Sequence, residues 1–337
     1  MLLSLRNDVT RDVVKKSMHS DRASRARKLV KRLARKLLAP FSLELRPIPP
    51  AVTTDAPPPP ICGSFTEALY RERGGESGAF LCPTAHCVHV TGLSLAPGAW
   101  HPFRETLRES LESGHARYEG SILEHFYAVW RPETAGQGFP GLETVPEIFH
   151  RLPPACVHLS PWMAWTRETA ERNYITWNLR DWKEHGADHL DPARDGFPDF
   201  GPVSPRLGAF EYARLTNLAI SLNRDGYQRE RGDVRVQVVK RGEEVRFLTY
   251  GGGYHRTVAM DVLGHDVIPA RHNWPWLIDV DEAPDWPGVR SGLWTEVQAR
   301  AYVDHLFEFD SQAWAKRIGL TGFDVARRDT GHRSGKR

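Results

Sequence analysis

One hexapeptide concentrates the residue types that hold anions: Gly251-Gly252-Gly253-Tyr254-His255-Arg256. Three glycines in a row permit positive φ and leave room for close approach by a ligand. A helix that begins just after them aims its first N–H groups into that gap, where orphan donors and the helix dipole favour an anion. Arg256 offers a fork of donors that matches phosphate oxygens, and His255 an imidazole. The chemistry this implies is a phosphate or nucleotide cradle. A tight turn before a capped helix explains the same glycines.

The flanking pattern supplies elements to position these groups. Phe210, Ala213, Leu215, Leu218, Ala219 and Leu222 fall on one face of a helix, which Asn223-Arg224-Asp225-Gly226-Tyr227 ends with Gly226 as the stop. Val234, Val236 and Val238 alternate with polar residues as in a strand. Arg241-Gly242-Glu243-Glu244 turns the chain, and Val245 to Tyr250 is a second strand leading into the glycines. A helix from His255 to Leu263, closed by Gly264, and a strand from Asp266 to Arg271 complete the module. A phosphotransferase would also need a base. Glu211, Asp225, Asp261 and His255 are candidates, and no spacing selects among them.

Elsewhere the signals are weaker. Phe80-Leu81 and Val88-His89-Val90 read as short strands, Phe103 to Leu111 and Ser121 to Trp130 as helices, and Gly186 to Pro205 as loop. Trp162, Trp165, Trp177 and Trp182 are expected in a core. Cys82, His86, Cys87 and His89 contain metal-ligand types, but Cys-x4-Cys is wide for a zinc knuckle and no second pair follows. His185, Asp188 and His189 likewise lack a partner motif. No metal site is expected from these residues.

Charge is unevenly placed. The net charge is +3, and the first 46 residues alone carry 13 Lys/Arg against 4 Asp/Glu, so the remainder is acidic. Within residues 22–38, Leu29, Leu33 and Leu37 mark a narrow apolar stripe on a cationic helix stopped by Pro40. Such a helix suits an anionic membrane surface; a solvated leader and contact with nucleic acid or an acidic partner stay open. Four cysteines in 337 residues describe no disulfide framework, and no apolar run is long enough for a membrane span, so a cytoplasmic protein, peripheral to the membrane at most, is expected. The expected organisation is a basic leader (1–46), a Pro-rich linker (47–62), an α+β region (63–205), the glycine-loop domain with a C-terminal helix (206–310) and a basic tail (311–337).

The module over 209–273 resembles the ParB/sulfiredoxin superfamily. The residues that carry this likeness are Asp225-Gly226-Tyr227-Gln228, Gly253-Tyr254-His255-Arg256, Val258-Ala259-Met260, Leu263-Gly264 and Val267-Ile268-Pro269-Ala270. It covers about a fifth of the chain. The resemblance implies an α+β fold with a small mixed sheet. It also implies a nucleotide cofactor (ATP, ADP or CTP, not distinguished) whose phosphates face Gly252, Gly253, His255 and Arg256, with Gly251 and Tyr254 in the same loop. Phosphate chemistry adds an expectation of Mg2+, and His255, Asp225 and Glu211 are the catalytic candidates that lie in or next to the module. Two departures narrow it. Sulfiredoxins carry a reactive cysteine where this chain has Tyr254, which disfavours sulfinic-acid reduction. Partition proteins follow the module with a DNA reader, and too few residues remain here after Asn273 for one, which disfavours specific DNA binding. A phosphotransferase for a small hydroxyl-bearing or envelope-polysaccharide substrate is the leading reading. The alternatives are a non-catalytic nucleotide-responsive binding protein and a DNA-associated ParB-like protein.

Overall fold

A computed structural model describes residues 57–249 and 252–322. The leader 1–46, most of the linker, Tyr250, Gly251 and residues 323–337 lie outside the described residues. So do the cationic stripe over 22–38 and one member of the glycine run.

The described residues begin with strand β1 (Ile61–Cys62) and helix α1 (Phe65–Arg73), the latter capped by the Ser64 side chain. Strands β2 (Ala79–Pro83) and β3 (Cys87–Val88) follow. Helix α2 (Pro102–Ser113) opens on His101, and α3 (Ile122–Val129) on Ser121. Each cap side chain accepts an orphan N–H of the first turn. Helix α4 (Arg167–Glu184) leads through the short α5 (Pro192–Asp195) to the long α6 (Pro205–Asp225), which Gly226 ends in a positive-φ conformation. Strands β4 (Val234–Arg241) and β5 (Glu244–Leu248) form the hairpin that the alternating valines call for. Helix α7 (Tyr254–Val262) leaves the glycine loop, and β6 (Val267–Asp279) runs well beyond the expected Arg271. Helices α8 (Pro287–Arg290), α9 (Glu296–Glu308) and α10 (Ser311–Arg317) close the described chain.

Among the described residues, all six strands join one mixed sheet in the order β1-β2-β6-β4-β5-β3. β4 and β6 are parallel at its centre, and Val234, Val236, Val238 and Val239 of β4 are fully buried. The alternation of Val234, exposed Arg235 and Val236 gives way to an unbroken buried run from Val236 to Val239, as in a strand covered on both faces. β2 lies antiparallel to β6, with Phe80 opposite Ala270, and β3 lies parallel to β5, with Cys87 opposite Phe247. The α+β class is therefore seen. Residues 63–205 and 206–310, expected as separate regions, contribute strands to the same sheet.

Two further boundaries move. The folded part starts at Ile61, because β1 pairs with β2, so the linker ends before residue 62. The expected tail begins with a packed helix: Trp314 of α10 is buried and meets Trp100 and Trp130 edge-on. Of the four tryptophans expected inside, Trp162 and Trp182 are buried, while Trp165 and Trp177 are half-buried and touch each other. Among the described residues, no helix is long and apolar enough to cross a membrane. Helices α2 and α6 pack together and against α7, and this three-helix corner carries the candidate site.

Candidate functional site at the start of α7

Gly253 is the cap residue of α7, with φ 117° and no side-chain cap hydrogen bond. A Cβ there would lie 2.9 Å from Val234 Cγ2. Both the backbone angle and the space demand glycine, and what approaches closely is strand β4. Gly252 differs. It is exposed, its carbonyl accepts from the Arg235 N–H at 2.9 Å, and among the described residues an added Cβ would meet only the Arg235 side chain, at an ordinary 3.6 Å. The glycine run thus serves packing at one position and leaves open surface at the next. The first intrahelical bond is donated by Thr257 to the Gly253 carbonyl, so the N–H groups of Tyr254, His255 and Arg256 open the helix.

The three side chains of that turn fan apart. His255 points at α6, where its Nε2 lies 2.8 Å from Glu211 Oε2, and its ring stacks on Phe103 of α2 at 4.9 Å. Glu211 is 1% exposed, and its Oε1 has no hydrogen-bond partner, the nearest cation being Arg214 at 3.9 Å. Arg214 is engaged instead by Asp181, whose two carboxylate oxygens each accept from its guanidinium. Arg256 turns to the opposite side. It donates to the Gly232 carbonyl at 2.5 Å, lies over the Tyr227 ring at 5.7 Å, and borders a hollow shared with Ser221, Gln228 and Arg231.

Tyr254 faces a third direction. Its hydroxyl lies 2.6 Å from His101 Nε2. His101 Nδ1 accepts from the Arg104 backbone N–H, which fixes the proton of the neutral ring on Nε2, and His101 therefore donates to Tyr254. Burial, together with Arg104, His89 and His255, keeps His101 well below the usual histidine range, so the neutral ring is the resident form. Burial, and then the Asp199 charge, pushes the Tyr254 phenol well above its ordinary value. Tyr254 also lines an adjoining cavity of about 10 Å³.

Asp199 and His89, which line that cavity, belong to a second group of ionisable residues. Asp199 Oδ2 accepts from the Tyr174 hydroxyl at 2.5 Å and lies 3.5 Å from His158 Nε2. Asp199 Oδ1 faces His89 Nε2 at 3.7 Å. Burial opposes the Asp199 charge, yet His89, His158 and Tyr174 hold its carboxyl well below the usual carboxylate range. His89, driven mainly by burial, is pushed down to about 4. Its Nδ1 lies 3.0 Å from the Thr91 hydroxyl and accepts from the Thr91 N–H at 3.4 Å, an arrangement that favours the tautomer with the proton on Nε2, toward Asp199.

Of the residues nominated from sequence, Glu211 and His255 are brought together beside Gly253. Asp225 stands apart. It lies at the far end of α6, about 21 Å along the axis at roughly 1.5 Å per residue, and is paired with its neighbour Arg224 at 2.6 Å. Asp261 is the partner of Arg104 at 2.8 Å, a buried tie between α7 and α2. Asp199, His101, His158 and Tyr174 were not anticipated. Asp199 sits in the Gly/Pro-rich loop, where no local pattern marks it. Cys82 and Cys87 are buried with Sγ atoms 3.6 Å apart, while His89 turns to Asp199 instead. Among the described residues, no group of His, Cys, Asp and Glu has metal-binding geometry. No family model, curated protein or solved structure matches the chain.

Proposed function

We propose that the start of α7 is the phosphate site of a nucleotide-binding protein that transfers a phosphoryl group to a small hydroxyl-bearing substrate. The observation that carries this reading is the Glu211–His255 pair. A carboxylate taken fully out of water costs more than one ion pair commonly returns, so placing Glu211 under the first turn of a helix points to a role beyond stability. With Nε2 held by Glu211, His255 presents Nδ1, which has no partner among the described residues, beside uncapped N–H groups and a glycine edge. These donors complement an anion with several oxygens.

The element order from β4 through the glycine loop and α7 to β6 agrees with a ParB/sulfiredoxin-like module, and that likeness supplies the nucleotide. Mg2+ would be recruited by the phosphates, since such ions bind through substrate oxygens and few protein ligands. Titration calorimetry of the full chain with ATP, ADP and CTP, with and without Mg2+, tests the reading. Glu211→Gln and His255→Ala should each weaken binding about 10- to 100-fold, the worth of a charge-assisted hydrogen bond. Binding that both variants retain unchanged, or no heat with any of the three nucleotides, defeats it.

A further inference from the structure

We propose that the cavity beside Tyr254 seats the oxygen of the phosphoryl acceptor, that Asp199 orients this hydroxyl for attack, and that the acceptor is a primary alcohol. This rests on the phosphate site at α7, because the donor must be bound next door. The two sites share residues: Tyr254 opens α7 and walls the cavity, and Phe103 walls the cavity while stacking on His255.

The cavity has the polarity of an oxygen site. Its volume of about 10 Å³ matches the room that one water-sized group needs. Two donors and one acceptor converge on it. Tyr254 has its O–H to give, because His101 already donates to that oxygen. His89 carries its proton on Nε2, and the 3.7 Å from that atom to Asp199 Oδ1 is too long for a direct hydrogen bond. Asp199 Oδ1 is the acceptor, while Oδ2 is occupied by Tyr174. A hydroxyl oxygen placed here accepts from Tyr254 or His89 and donates to Asp199.

The walls set the class of alcohol. Phe103, Phe126 and Pro198 give the site an apolar lining around these three polar groups. Room for one oxygen between such walls admits an unbranched carbon behind it and crowds a branched one. Asp199 keeps 14% of its side chain exposed, so the rest of the acceptor extends toward solvent past the carboxylate.

In the step itself the acceptor oxygen forms a bond to the γ-phosphorus of a nucleoside triphosphate. The bond from that phosphorus to the bridging oxygen breaks, and nucleoside diphosphate leaves with the electron pair. The acceptor proton passes to Asp199 Oδ1 and from there to solvent. Phosphoryl transfer through a loose transition state asks the carboxylate to orient the nucleophile more than to deprotonate it early. A strongly acidic carboxyl suffices for that task.

The full chain would be incubated with ATP or CTP, Mg2+ and equal concentrations of ethanol or 2-propanol, with products read by phosphorus NMR and nucleotide affinity by calorimetry. Ethyl phosphate should exceed isopropyl phosphate by about tenfold or more, the lower range for one misfitting methyl group. Asp199→Asn should slow transfer about 100- to 1000-fold with nucleotide Kd unchanged within about twofold. Should that variant fail to fold, Tyr254→Phe keeps the ring packing, removes only the hydroxyl, and should slow transfer about tenfold or more. Equal yields of the two esters, full activity in either folded variant, or bound nucleotide that is never consumed overturns the acceptor site while leaving the phosphate site standing. Failure of every nucleotide to bind removes the phosphate site, and the acceptor site with it.

Discussion

Gly252 and Gly253 are neighbours with opposite expected responses to a methyl group. At Gly253 the substitution to alanine forces an L side chain to φ 117° and drives Cβ to 2.9 Å from Val234 Cγ2. The backbone strain costs about 1–2 kcal/mol, and overpacking against a central, fully buried strand costs about 1–3 kcal/mol more. Gly253→Ala is therefore expected to lose about 2–5 kcal/mol. Val234→Ala in the same chain relieves only the packing part, so the double variant should be more stable than the sum of the singles by about 1–3 kcal/mol. At Gly252 the new Cβ meets Arg235 at 3.6 Å and no left-handed angle is required, so stability should stay within about 0.5 kcal/mol. If phosphate lies against that open edge, Gly252→Ala lowers nucleotide affinity instead. Urea unfolding followed by tryptophan fluorescence measures the parent and all four variants. A Gly253→Ala variant as stable as the parent, or one indifferent to Val234→Ala, refutes the packing account. A Gly252→Ala variant as unstable as Gly253→Ala refutes the distinction between the two positions.

Two other outcomes follow from the core. His89 and His305 titrate near 4 in the folded chain, chiefly through burial, against about 6.5 unfolded. The unfolded chain takes up these protons first, so stability should fall as pH drops from about 6.5 to about 4, by at most on the order of 3 kcal/mol for each histidine. Asp199, depressed when folded, adds stability above the ordinary carboxylate range that is lost only in stronger acid. Urea midpoints measured across this window should decline with acid, and a flat profile contradicts the buried neutral rings. Trp314→Ala should cost about 3–5 kcal/mol, seen as a lowered melting temperature, because α10 is part of the tryptophan cluster. A surface-like effect within about 0.5 kcal/mol would return residues 311–317 to a tail.

Elements held by local rules were legible. The apolar face of α6, the alternating valines of β4, the Gly242 turn and the Gly264 stop of α7 each depend on neighbours a few residues away. The Glu211–His255 pair was half legible: both residues were nominated, but only the packing of α6 on α7 separates Glu211 from Asp225. What escaped is non-local. Nothing within Phe80-Leu81 states that Ala270 and Pro269 will be their partners. Asp199 is marked out only when α4 brings Tyr174, β3 leads to His89, and the segment before α4 brings His158. Helix α10 carries too few apolar residues to announce itself, and it is held by buried Trp314 and Ala315 and by the Ser311 hydroxyl, which accepts from the Trp100 N–H.

The order of the sheet also bears on synthesis. Phe80 pairs beside Ala270, about 190 residues downstream. At roughly 5–20 residues per second, a ribosome needs about 10–40 s to deliver the partner strand. During that interval β2 and β3 have emerged without the strands that cover Phe80, Cys82 and Val88, all buried in the finished protein. The nascent chain therefore passes through a long window in which its first strands present apolar edges to holding chaperones, and the sheet closes only when β6 is released.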